Sequence, residues 1–68
     1  MIENDEQLAT TLDRIRRFQQ QIAQVRRSEP NPVNYRASTS GFLAEVDRMQ
    51  REVREFLSAH PKELAGVA

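Results

Sequence analysis

Large apolar residues recur along this chain in two runs, at steps of three and four. The first run is Leu8, Leu12, Ile15, Phe18, Ile22 and Val25; the second is Phe42, Val46, Met49, Val53 and Phe56. Such spacing keeps side chains on one side of a helix with 3.6 residues per turn. Each run therefore predicts an amphipathic helix whose apolar face packs against another helix. Between the runs stand Pro30 and Pro32. Each lacks an amide donor and disfavours helix in the residue before it. The pattern predicts an all-α antiparallel two-helix hairpin, with helices over about 5–27 and 39–59. A proline-containing connection over 28–38 completes a unit spanning 1–60, and 61–68 is a short tail that forms one helical turn or stays disordered.

Side chains at the ends sharpen these boundaries. Asn4 is placed to cap the first helix with Gln7 reaching back, while Asp5 and Glu6 sit where the helix dipole favours acids. Ile2 is placed to fold over Leu8. Ser38, Thr39 and Ser40 offer caps for the second helix, and Gly41 then falls in its first turn. Val33 and Tyr35 are expected to fold back over the end of the seam. Asp13 with Arg17, and Asp47 with Arg51, stand four residues apart in the favourable order for a helical ion pair.

In heptad terms, Leu8, Ile15 and Ile22 take position a, and Thr11, Phe18 and Val25 take d. In the second helix Val46 and Val53 are a, and Phe42, Met49 and Phe56 are d. Leu12, Leu43 and Leu57 fall at e, beside the seam. One partner helix covers a stripe about two positions wide per heptad, so these leucines stay partly exposed in a lone hairpin. A second copy that closes an antiparallel four-helix bundle would cover them, and a twofold dimer is the commonest closed assembly. The expected interface, with itself or with another protein, comprises Leu12, Phe18, Leu43, Met49, Phe56 and Leu57.

Size supports the need for a partner. With 68 residues and no cysteine, the chain is a single small domain without disulfides. One histidine and no cysteine argue against zinc, so neither a metal nor a cofactor is expected. The acidic start lacks the basic and apolar regions of a signal peptide, and no run approaches the roughly 20 apolar residues that span a bilayer. A cytoplasmic protein with no membrane partner is the expectation.

Catalysis has little to stand on. His60 lies at a helix end, where a base complements the dipole. Glu45, Asp47, Glu52 and Glu55 are interleaved with Arg48, Arg51 and Arg54, which describes a solvated face. No phosphate-cradling glycine loop is present. No catalytic residue and no small-molecule substrate are therefore expected. Charge adds one competing idea. The net charge is zero, but the acids Glu3, Asp5, Glu6 and Asp13 precede a basic stretch containing Arg16, Arg17, Arg26 and Arg27. In a dimer those four arginines could form a strip that contacts phosphates, so nucleic-acid binding is the second expectation.

The run Asn4-Asp5-Glu6-Gln7-Leu8, with Ile15, Phe18 and Ile22, then Gly41-Phe42-Leu43, Glu45-Val46, Met49, Glu52-Val53 and Phe56-Leu57, resembles small bacterial helical-hairpin proteins of uncharacterised function. Similar segments stand alone or ahead of helix-turn-helix domains in antitoxin-like regulators. The resemblance spans about residues 2–60 and rests mostly on coiled-coil patterning. It implies a dimerising or partner-binding role, with the partner encoded nearby. A helix-turn-helix part is absent, so the DNA-reading role of such regulators is not implied. The hairpin plan is also similar to that of the plasmid-copy-control RNA-binding bundle protein, in architecture alone.

Overall fold

The computed structural model describes residues 1–62 and consists there of two helices, α1 (Asp5–Ser28) and α2 (Pro32–Leu57), packed against each other. Asn4 caps α1 as its side chain suggests: the Gln7 amide donates to Asn4 Oδ1 at 2.8 Å. Gln7 reaches back one residue further than in a standard capping box. Its Oε1 accepts from the Glu3 amide at 2.8 Å. At the other end the Glu29 amide donates to the Val25 carbonyl at 2.8 Å, with Arg26 and Arg27 in the last turn.

The connection is much shorter than the 28–38 segment expected, because α2 starts at Pro32 and not near residue 39. Both prolines do break the helix, but only locally. The residues before them, Glu29 and Asn31, are the extended ones (φ −103°, ψ 109° and φ −95°, ψ 117°), as the proline ring demands of its predecessor. Pro32 itself is at the first helical position, where a missing amide costs nothing and the fixed φ already suits the helix. Asn31 is the cap: its Oδ1 accepts from the Val33 amide at 2.9 Å and the Asn34 amide at 3.3 Å. Glu29 Oε1 takes the Asn31 amide at 3.1 Å, closing the turn.

Three expectations around this turn are thereby corrected. Ser38, Thr39 and Ser40 are helix interior, not caps. Val33 does not cover the seam and is 70% exposed. Gly41 is in mid-helix, and a Cβ placed there would meet nothing within 4 Å, so it accommodates no close approach within the chain. Tyr35, by contrast, does pack against the core.

Ile15 and Ile22 of α1 and Val46 and Met49 of α2 form that core, with Phe18, Tyr35, Phe42 and Val53 packed around it. Phe18 and Phe42 meet edge to face, with ring centroids 5.4 Å apart and an interplanar angle of 66°, a geometry the ring quadrupoles favour. Ile2, ahead of α1, is also buried and borders the same groove as Met49 and Glu52. α2 ends with the Ser58 amide on the Arg54 carbonyl at 2.9 Å, two residues short of the expected limit. The tail expected over 61–68 lies outside the described residues from position 63 onward. No described helix is long and apolar enough to cross a membrane.

Candidate interaction face

Two helices side by side make a plate one helix thick, with two broad faces. Its Cα extents are 17 Å and 12 Å across the helices. The seam residues are shared between those faces, while the flanking e and g positions separate them. Antiparallel direction puts the e positions of both helices on one face and the g positions of both on the other.

The g face is polar. Gln7 and Arg14 of α1 border one shallow groove together with Arg48 and Glu52 of α2. Arg48 organises this side. Its Nε and Nη2 donate to Glu45 Oε1 and Oε2 at 3.0 and 2.8 Å, and its Nη1 donates to Glu52 Oε1 at 2.9 Å. The hydrogen bonds from Arg48 hold the Glu45 carboxyl below its ordinary pKa. Partial desolvation opposes this, and the charges of Arg48 and Arg14 add to it. The Arg48 guanidinium is raised in turn by Glu45 and Glu52. The Asp47–Arg51 pair expected in α2 does not form; the ion pairs of that helix gather on Arg48 instead. The Asp13–Arg17 pair does form, at 2.7 Å.

Leu12, Leu43 and Leu57 all belong to the e face, and they are 47%, 46% and 62% exposed. With Phe18 against Phe42 setting the register, the heptad pattern assigns Asp5 and Leu57, Leu12 and Gln50, Gln19 and Leu43, and Arg26 and Arg36 to successive rows of this face. Asp5 and Leu57 indeed border a common groove, shared with Glu3, Phe56 and His60. The leucines thus alternate between the helices along the face, with glutamines in the rows of Leu12 and Leu43.

The other expected interface residues have different surroundings. Met49 is only 2% exposed and lies inside the seam between α1 and α2. Phe18 and Phe56 are half-buried at its margins. Of the four arginines singled out, Arg16 and Arg17 both contact Asp13, at 3.4 and 2.7 Å. Arg26 and Arg27 make no ion pair among the described residues, and neither does Arg36. His60 Nδ1 accepts the Lys62 amide at 3.0 Å. Among the described residues no three side chains of metal-ligating type are grouped to hold an ion.

Sequence reading missed Tyr35 and Arg36 as parts of α2, and took Thr39 for a cap where it is a buried residue of the seam. The signal was present: stepping back from Phe42 by three and then four gives Thr39 at a and Tyr35 at d, with Arg36 at e. It was masked by two prolines read only as breakers and by a threonine at a core position. Scans against family models, curated proteins and solved structures give no match to this chain.

Proposed function

We propose that this chain is a non-catalytic protein-interaction module that acts as a homodimeric four-helix bundle in the cytoplasm, in the manner of an antitoxin-like or adaptor subunit. One observation carries the reading: Leu12, Leu43 and Leu57 stand half-exposed on a single face of a plate one helix thick. A plate encloses only the narrow core between its two helices, and a second plate laid on the leucine face would add a further layer. The opposite face, with its arginine-carboxylate network, suits solvent. The absence of cysteine fits a reducing compartment.

Sedimentation equilibrium tests the proposal. The expected result is twice the 7.9 kDa chain mass and a return towards monomer when Leu12 and Leu43 both become Gln. A well-folded monomer for the parent chain would refute the dimer. A second protein, encoded nearby, is then the occupant to seek.

Nucleic-acid binding is the weaker reading. It rests on Arg26 and Arg27, which have no acidic partner among the described residues. Arg16 and Arg17 contribute less, because Asp13 offsets one of their two charges. Titration with duplex DNA and structured RNA at low ionic strength decides it, since phosphate contacts give binding that falls steeply with salt.

A further inference from the structure

We infer that the second copy lies antiparallel on the leucine face, with the loop end of each hairpin over the open end of the other. The inference rests on the dimer proposed above and adds its orientation, which the distribution of charge along the face selects.

The leucine face has a basic end and an acidic end. At the loop end the register puts Arg26 and Arg36 in one row, and neither has an acidic partner among the described residues. At the open end, Asp5 occupies the corresponding row beside Leu57, with Glu3 close by in the same groove. Two twofold arrangements can bring the leucine faces together. With loops at the same end, Arg26 and Arg36 of one copy meet Arg26 and Arg36 of the other, so four guanidiniums share one layer. Juxtaposing like charges in this way is a recognised means of rejecting an arrangement. With loops at opposite ends, Arg26 and Arg36 of each copy lie over Asp5 and Leu57 of the other. Opposite charges then face each other, and the arginine stems cover the most exposed of the three leucines.

The apolar rows agree with this choice. The dyad of the antiparallel arrangement passes between the Leu12–Gln50 and Gln19–Leu43 rows, near Ile15 and Val46. It places Leu12 of one copy in the same layer as Leu43 of the other, twice over by symmetry.

A spin label at Asn34, an exposed residue in the first turn of α2 and away from the leucine face, reads the orientation directly. The chain contains no cysteine, so N34C gives a single attachment site. Loops at opposite ends separate the two labels by about 35 Å, the length of a 24-residue helix. A separation of about 20 Å or less, two interhelical spacings, would overturn the antiparallel arrangement while leaving the dimer standing. Monomer mass in the same sample would instead remove the reading beneath it. The charge argument has its own check. R26E with R36E should weaken the dimer about tenfold or more, and adding D5R should restore part of the loss. An unchanged dissociation constant for R26E with R36E would show that charge does not choose the orientation.

Discussion

Thr39 is the polar side chain that the hairpin encloses completely, at 0% exposure, among the described residues. It is tolerated there because its hydroxyl donates to the Tyr35 carbonyl one turn back, at 2.8 Å, leaving no donor unsatisfied. Gly41 is the opposite case, a residue with no structural reason within the chain. It faces open space in mid-helix, with negative φ. G41A should raise stability by about 0.5–1 kcal/mol through helix propensity and reduced freedom of the unfolded chain. Urea denaturation measures this. A destabilised G41A variant would mean that another backbone rests on that position. Periodicity made most of the core legible, including Ile15, Ile22, Val46 and Met49. It did not disclose Thr39, because threonine signals a cap as readily as a core position until its surroundings are known.

At the scale of the helices, the start of α2 depends on Asn31 and the end of α1 on the two extended residues before proline. Replacing Asn31 with Ala removes the acceptor for two backbone amides and should cost about 1 kcal/mol. Amide hydrogen exchange should show the loss concentrated over 32–36, in the first turn, and uniform exchange along α2 would contradict the capping role. The Glu45–Arg48–Glu52 cluster gives α2 a pH dependence of known sign. The Glu45 carboxyl is held below its ordinary value of 4.5 in the folded chain. Its contribution is therefore present above that value and is lost as pH falls through the lower, folded one. Thermal melts should show a lower midpoint at pH 3 than at pH 7. E45Q should remove part of the difference, and an identical drop in E45Q would assign the effect elsewhere. The boundaries of α1 were readable because its cap, first-turn acids and last-turn bases all agree. Those of α2 were not, because proline carries two meanings: it ends a helix from inside and begins one from its first position.

For the whole molecule, the thin plate of two helices has consequences for stability as well as for recognition. Few side chains are fully buried, and small domains bury too little surface to be robust alone. If a second copy completes the core, folding and association are linked, and the melting temperature should rise with protein concentration. Circular dichroism melts at two concentrations a hundredfold apart test this, and a concentration-independent midpoint would argue for a self-sufficient hairpin. By itself the sequence determined that the chain is helical, that it turns back once between residues 28 and 38, and which residues line the seam. Those properties are local or periodic, and a one-dimensional pattern carries them. Only the tertiary structure decided that the turn takes three residues, that Tyr35 and Thr39 extend the seam, and that Arg36 falls within α2, where the register assigns it to the same row as Arg26. The reason is physical: a face shared by two helices depends on their direction and register, and these follow from the turn geometry and from the contact between Phe18 and Phe42.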